Sequence, residues 1–167
     1  MDLRPITPAD QAVLWDLLHV ALWDPPPAGL RPREVLDHPG VRIYAEHWGL
    51  RGGDVGVIGE IDGKIAGACW MRLIEGGQGL GYVDDETPQL GIAFFPAYQH
   101  QGLGQQLMMG ALEAAEAHGY EKVSLTVHPE NSASRLYAKC GFVERELRRT
   151  YRLMVWERKT PARRPAS

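Results

Sequence analysis

The chain has 167 residues, of which 44% are hydrophobic and 23% are charged, and its formal net charge is −3. This length predicts one domain with a single substantial core, and the slightly acidic balance excludes a basic nucleic-acid surface and a polybasic membrane anchor. Two cysteines, and six histidines without ligand spacing, predict neither a disulfide framework nor a metal site.

The first 54 residues predict one strand, one helix and an irregular proline-rich connection. A strand over residues 2–6 ends at Thr7-Pro8, which is a typical helix start, and apolar residues then recur at helical spacing up to Ala21. The three prolines of the segment 24–29 end this helix. Short helices over residues 33–37 and 41–48 are expected to follow.

From residue 55 onward, short apolar runs separated by sharp turns predict a sheet. The expected strands cover residues 55–61, 64–73, 89–95, 123–127, 142–147 and 150–156, and the expected helices cover 103–118 and 132–140. Asp62-Gly63 is a hairpin signal, whereas the helix at 103–118 joins two strands that should be parallel. The predicted fold class is α/β (α+β), with a mixed sheet and helices on both faces. Because three strands precede the one that enters the glycine-bearing turn at 99–104, a doubly wound dinucleotide fold is excluded.

The segment Gln-His-Gln-Gly-Leu-Gly at residues 99–104 predicts an anion site. A strand enters it and an amphipathic helix leaves it, so several unpaired backbone N–H groups lie at the positive end of the helix dipole. Gly102 and Gly104 allow the backbone to approach a phosphate without an intervening Cβ. The missing Gly-Lys-Ser/Thr ending argues against a triphosphate P-loop.

This order of elements, together with two motifs, resembles the GCN5-related N-acetyltransferase (GNAT) superfamily. The acyl-CoA pyrophosphate motif of the family, Arg/Gln-x-x-Gly-x-Gly/Ala, is matched by Gln99, Gly102 and Gly104. A second motif on the next helix is matched by Asn131, Ser134, Tyr137, Gly141 and Phe142. The resemblance covers roughly residues 55–157 and implies a single GNAT domain over 1–157, followed by a flexible tail over 158–167.

The resemblance implies acetyl-CoA as cosubstrate, no metal, and a six- to seven-stranded, mostly antiparallel sheet whose central parallel strands splay at a bulge. Its implied cofactor-binding residues are Ile92, Ala93, Phe94 and Phe95 for pantetheine, Gln99, His100, Gln101, Gly102, Leu103, Gly104 and Gln105 for the pyrophosphate, and Asn131, Ser134 and Tyr137 on the second motif. A backbone N–H near residues 92–94 would also stabilise negative charge on the thioester oxygen.

Tyr137 is the implied catalytic acid, which donates a proton to the departing thiolate because a phenol stays protonated at neutral pH. Half-buried packing of the ring is the competing interpretation. The general base stays open. Gln89 stands where many relatives have a glutamate, and the alternatives are Asp84, Asp85 and Glu86 acting through water, then Glu60 and Glu75.

The acceptor is expected between the N-terminal helices and the last hairpin. Candidate lining residues are Trp23, Pro25–Pro27, Tyr44, His47 and Trp48 on one side and Arg148 and Arg149 on the other. The sequence thus predicts transfer of an acetyl group to a small-molecule or peptide amine, with an acyl-CoA-binding sensor as the alternative.

Neither nucleic acid nor a membrane is expected as a partner, and a homodimer through the last strands stays open. Because the N-terminus lacks a signal-peptide run and no stretch reaches membrane-spanning length, a cytoplasmic protein is expected.

Overall fold

The computed structural model describes residues 1–159 of the chain. The expected tail over 158–167 falls mostly outside these residues. Arg158 is still attached to the sheet, because its N–H donates to the carbonyl of Glu121 at 2.8 Å.

A seven-stranded sheet forms the centre of the protein. The strands are β1 (Asp2–Pro5), β2 (Val55–Ile61), β3 (Lys64–Arg72), β4 (Gln89–Phe94), β5 (Lys122–Val127), β6 (Phe142–Arg148) and β7 (Tyr151–Glu157), in the spatial order β1-β2-β3-β4-β5-β7-β6. The helices are α1 (Gln11–Ala21), α2 (Pro39–Arg42), α3 (Gly104–His118) and α4 (Ala133–Lys139). The predicted element order and the mixed sheet are confirmed.

Each face of the sheet carries its own hydrophobic core. One core packs α3 and α4 against the sheet through residues such as Leu107, Met108 and Phe142. The other packs α1 and the segment after it through residues such as Leu14, Leu17 and Trp48. Helices therefore pack on both faces, and the central strands of the sheet are covered on both sides.

β4 and β5 form the one parallel pair of the sheet in the described residues, and they separate almost at once. Their only paired positions are Gln89 and Ser124. The β3–β4 register runs unbroken from Gly67–Phe94 to Arg72–Gln89, so the strands splay as expected but without a bulge in this ladder. The gap exposes the edge of β4 that faces β5.

The helix expected over residues 41–48 is wrong in extent, since α2 covers only Pro39–Arg42 and turns follow it. The reason is tertiary. The side-chain amide of Gln11, on α1, donates to the carbonyl of Ala45 at 2.8 Å and accepts the N–H of Trp48 at 2.7 Å. His47 then adopts φ 53°, a conformation that no α-helix contains.

Candidate active site

A cavity of about 660 Å³ opens at the gap between β4 and β5. Gly91 and Ile92 of β4 line it on one side, and Leu125 to Val127 of β5 line it on the other. We call this part of the cavity the backbone end. The part formed by Trp23, Arg31, His128, Arg149 and Tyr151 is called the side-chain end.

The backbone groups of β4 alternate between β3 and the gap. The N–H of Phe95 is taken by the carbonyl of Ala66 at 2.9 Å, which points it toward β3. Because backbone direction alternates along a strand, Ala93 shares that direction, whereas Ile92 and Phe94 face the gap. Phe95 and Ala93 therefore have no free N–H to offer a ligand there, and the predicted pantetheine contacts reduce to Ile92 and Phe94.

The predicted anion loop is shaped by its own glutamines. The side-chain amide of Gln99 donates to the carbonyl of Phe94 at 2.9 Å, and that of Gln101 donates to the carbonyl of Ala97 at 2.7 Å. Two residues of the loop, His100 and Gly102, have φ 59° and 74°. Both glutamine side chains are thus used to hold the turn, and the N–H groups at the start of α3 are left for an anion.

Gly104 has a structural reason beyond the approach of a ligand. A Cβ at this position would lie 2.6 Å from a methyl group of Leu136 on α4. A larger residue at this position would therefore require the Leu136 side chain to move. The sequence indicates a glycine for a phosphate, and the geometry adds the packing of α3 against α4 as a second reason.

The second motif delivers two of its polar residues to the cavity. Asn131 and Tyr137 line it, whereas Ser134 lies outside its lining. Asn131 Oδ1 accepts the N–H of Ala133, the first residue of α4, at 3.0 Å, although Ser132 is the residue at the N-cap position. The predicted cap is therefore displaced by one residue, and Tyr137 lies further along the same helix.

Both interpretations of Tyr137 fit its surroundings. The residue is 8% exposed, and its ring lies 6.3 Å from that of Phe142 between centroids. Burial raises the pKa of the phenol, with a smaller contribution from nearby Cys69. The ring is packed, yet it lines the cavity as a group that stays protonated well above neutral pH.

Gln89 is a clamp in which both ends of the amide are engaged. Its Oε1 accepts the hydroxyl of Tyr44 at 2.8 Å and the N–H of Gly81 at 3.1 Å, and its Nε2 donates to the carbonyl of Gln78 at 2.9 Å. The side chain is buried, with an exposed fraction of 2% for the residue. Gln89 thus fixes Tyr44 and the loop 77–81 over the one point where β4 and β5 are paired.

The clamp explains one glycine of this loop. Gly79 has φ 87°, and a Cβ there would lie 2.5 Å from Gln89 Oε1. The hydroxyl of Ser124 closes the arrangement, because it donates to the carbonyl of Gly81 at 2.6 Å. Loop and strand pair are therefore locked together by side chains that approach the glycine backbone.

None of the acidic residues considered as a base lines the cavity. Asp84 accepts the N–H of Glu86 at 2.9 Å. Asp85 accepts the hydroxyl of Tyr82 at 2.6 Å, a bond that lowers the pKa of the carboxyl. Glu60 is paired with Arg4 on β1, and Glu75 is exposed. Within residues 1–159, no aspartate or glutamate is part of the cavity wall.

The side-chain end is built from segments far apart in sequence. Asp24 holds Arg31 with two hydrogen bonds, of 2.8 and 2.9 Å. The His128 ring lies 5.7 Å from the Trp23 ring and 5.8 Å, edge-on, from the Tyr151 ring. Sequence reasoning missed His128, Arg31 and Tyr151, because no local pattern marks them.

The other residues predicted to line the acceptor site fall into two groups, those that line the cavity and those that do not. Tyr44 and Arg149 line the cavity. Arg148 instead donates to the carbonyls of Leu80 and Tyr82, and so braces the loop that Gln89 clamps. Trp48 is buried in the core and His47 is exposed on the surface, and neither they nor Pro25–Pro27 line the cavity.

A buried ion pair stabilises the backbone beside Gln89 and Tyr44. The guanidinium of Arg72 donates to both carboxylate oxygens of Asp54 at 2.8 and 2.9 Å, with side-chain exposures of 0% and 1%. Arg72 also donates to the carbonyl of Ile43 at 2.9 Å. Since Arg72 is the register partner of Gln89, the pair holds the backbone next to Tyr44 in position.

Two further features are absent from the part of the chain that the structure describes. No group of three or more His, Cys, Asp or Glu side chains among residues 1–159 is arranged to hold a metal ion. Over the same residues, none of the helices has the length and apolar character needed to cross a membrane.

Comparison with known proteins agrees with the fold and with the family resemblance. The model of the acetyltransferase (GNAT) family matches residues 15–142. A ribosomal protein bS18-alanine N-acetyltransferase of Haemophilus influenzae is 35% identical over 86 residues, covering 48% of this chain and 59% of the relative. A mycothiol acetyltransferase of Tsukamurella paurometabola is 29% identical over 147 residues, covering 83% of this chain and 47% of the relative.

The curated relatives are therefore matched over about half of their own length. Among solved structures, the PaiA N-acetyltransferase of Thermoplasma acidophilum in complex with coenzyme A superposes with a TM-score of 0.65. Its sequence identity is 18%, and the match covers 95% of this chain and 100% of that one. At this identity the superposition bears on the fold alone.

Proposed function

The chain belongs to the acetyltransferase (GNAT) family, and we propose that it transfers the acetyl group of acetyl-CoA to a primary amine by direct attack on the thioester. The observation that carries this proposal is a single cavity that joins the open edge of β4, the phenol of Tyr137 and the side-chain end. Cosubstrate and acceptor could therefore meet beside a proton donor.

The backbone end fits acetyl-CoA. The gap-facing N–H and carbonyl of Ile92 and the N–H of Phe94 suit the amides of an extended pantetheine arm, which would complete the hydrogen bonds left open by the splay. The N–H groups of Gln101–Gln105 suit the pyrophosphate. When bound there, acetyl-CoA supplies the activated acetyl group, and no metal is needed.

Tyr137 is proposed as the acid that protonates the departing thiolate. Its raised pKa keeps the proton on the phenol through the neutral range, and a positioned acid of this kind typically contributes about 10²–10⁴-fold in rate. The backbone N–H of Ile92 or Phe94 is proposed to stabilise the carbonyl oxygen during attack.

We assign no side chain as general base. The carboxylates of residues 1–159 lie outside the cavity wall, and the Gln89 amide is engaged at both ends. The proton of the amine is proposed to leave through water in the cavity. The pH dependence of kcat/KM should then follow the pKa of the acceptor amine, and it should change when the amine is changed.

Binding is tested first by thermal unfolding with and without acetyl-CoA. Ligand at about 100 times its Kd should stabilise the native state by about 2.7 kcal/mol. Release of free thiol in the presence of an amine panel then tests transfer. An unchanged unfolding midpoint with millimolar acetyl-CoA and with CoA would rule out this proposal.

An acyl-CoA-binding sensor is the second candidate, and Gln89 is the observation in its favour, because a structural amide occupies the position where relatives carry an acid. The two functions differ in one result. Stabilisation by acetyl-CoA without thiol release across small amines and peptide N-termini supports the sensor, whereas one acetylated amine identified by mass spectrometry supports the enzyme.

A further inference from the structure

The side-chain end of the cavity presents hydrogen-bond donors and no carboxylate. Its ionisable lining residues are Arg31, His128, Arg149 and Tyr151, and His38 also lines the cavity. Within residues 1–159, aspartate and glutamate are missing from the whole lining. A pocket that selects polyamines or other multiply charged cations would need carboxylates to replace the water around each charge.

The two histidines are donors because of their backbone contacts. His38 Nδ1 accepts the N–H of Gly40 at 3.0 Å, and His128 Nδ1 accepts the N–H of Glu130 at 3.1 Å. An imidazole whose Nδ1 accepts a hydrogen bond carries its proton on Nε2 in the neutral form. In each neutral ring, Nε2 therefore carries a hydrogen and acts as a donor, not as an acceptor.

The two arginines of the side-chain end differ in whether their positive charge is already paired with a carboxylate. Arg31 is neutralised by two hydrogen bonds to Asp24, and this contact holds the pKa of the Asp24 carboxyl below its usual range, with a smaller effect of His128. Arg149 lines the cavity from the turn between β6 and β7. It takes part in none of the ion pairs found among residues 1–159.

We propose that the acceptor is a small amine that also carries an oxyanion, a carboxylate or a phosphate, which Arg149 binds at the side-chain end. The proposal rests on the transferase function and names its substrate class. The oxyanion would pair with the guanidinium, while Trp23 and Tyr151 pack against the body of the molecule. The amine of the same molecule then points toward the backbone end and Tyr137.

The test uses matched amines that differ only in the anionic group. One set is an amino acid, its carboxamide and its decarboxylated amine, and the second set is ethanolamine phosphate and ethanolamine, with spermidine as a polycation. Thiol release gives kcat and KM for each. The carboxylate or phosphate member should be preferred by at least about tenfold, since only that member can form a charge-assisted hydrogen bond with the guanidinium. The set that shows the preference identifies the oxyanion.

Two variants of Arg149 connect the preference to this residue. Arg149→Gln should raise KM for the oxyanion-bearing amine by about tenfold to a hundredfold and change KM for the amine without the oxyanion much less, and Arg149→Glu should shift the preference toward spermidine. Arg51→Gln, at an exposed position away from the cavity, is the matched control and should change nothing. The same amines are also tested for stabilisation of the CoA complex, which requires no turnover.

The inference is overturned if amide and amine react, or stabilise the CoA complex, as well as the acid does, or if Arg149→Gln leaves the preference intact. Either result leaves the transferase proposal standing. The failure of acetyl-CoA to bind at all is the separate result that removes the proposed function.

Discussion

The two ends of the cavity recognise their ligands in different ways. The backbone end lies where Gly91 and Ile92 of β4 face residues 125–127 of β5, and the groups it offers a ligand, like those of the separate loop at 99–105, are peptide N–H and C=O. The side-chain end consists of Trp23, Arg31, His128, Arg149 and Tyr151, which come from separate parts of the chain. A backbone site depends on the path of the chain, whereas a side-chain site depends on the packing of distant segments.

This difference predicts how each end responds to mutation. At the backbone end, the replacement of one side chain should weaken ligand binding little, unless it alters the path of the chain or adds a charge beside the bound pyrophosphate. Where side chains hold the structure, one substitution can release a loop, because Gln89 alone contacts Tyr44, Gln78 and Gly81. The comparison can be challenged by substitutions at each end.

Removal of the carboxylate of Asp54 should have the largest effect. Asp54→Ala leaves the guanidinium of Arg72 buried without its counter-ion, and we expect a loss of about 3–5 kcal/mol in the free energy of unfolding, measured by chemical denaturation. Glu157→Gln, which breaks the exposed pair with Arg145, is the control and should cost at most about 1 kcal/mol. Equal effects of the two substitutions would contradict the supporting role of the buried pair.

Replacement of the phenol of Tyr137 tests the point where the two ends meet. Tyr137→Phe should lower kcat by about 10²-fold and leave the affinity for acetyl-CoA within about threefold, a difference below about 1 kcal/mol. The ring is retained, so its packing against Phe142 should persist and the unfolding midpoint should stay close to that of the wild type. Full turnover at every pH would leave packing as the only role of this residue.

Gln89→Glu tests the clamp. The carboxylate can accept from Tyr44 and Gly81 but cannot donate to the carbonyl of Gln78, and we expect a loss of about 1–3 kcal/mol in stability at neutral pH. Burial should raise the pKa of the new carboxyl above its unfolded value of about 4.3. The protonated acid can donate as the amide does, so the deficit relative to wild type should be smallest below that value and grow as the pH rises through the folded pKa.

Denaturation of both proteins at several pH values measures this deficit. Ser124→Ala is a useful companion, because it removes an uncharged hydroxyl that bonds the carbonyl of Gly81 at 2.6 Å and that of Pro88 at 3.5 Å, and it should show no such pH dependence. If Gln89→Glu is as stable as wild type and turns over faster, the introduced carboxylate acts as a base and the amide is not a required clamp.

The same contrast explains what could be predicted from the sequence. Strands, helices and the loop at 99–104 depend on local periodicity and on glycines, so most of their positions were predicted within about two residues. The gap between β4 and β5 also follows from the family pattern, although no bulge accompanies it in the β3–β4 ladder.

Contacts between distant residues could not be predicted in this way. The segment 41–48 has a helical pattern, yet Gln11 engages two of its backbone groups from α1. Arg148 and Arg149 are adjacent in sequence, but only the structure distinguishes the one that braces a loop from the one that lines the cavity. His128 follows a strand in the sequence, and only the folded chain brings Trp23 and Tyr151 beside it.

A single added charge at the start of α3 should have the smallest effect and the most specific one. Gln105 is exposed in the first turn of this helix, where a carboxylate is favourable for the helix dipole. Gln105→Glu should therefore leave the free protein at least as stable as wild type, yet weaken acetyl-CoA binding by about tenfold, or about 1.4 kcal/mol, by repelling the pyrophosphate. Ala117→Glu places the same charge at the opposite, exposed end of α3 and should leave binding unchanged.

Isothermal titration with acetyl-CoA measures both variants, and the loss of affinity in Gln105→Glu should shrink at high salt because an exposed charge is screened. Equal affinities in the two variants would mean that the pyrophosphate lies elsewhere. The backbone groups at the start of α3 would then not be the ones that bind the cosubstrate.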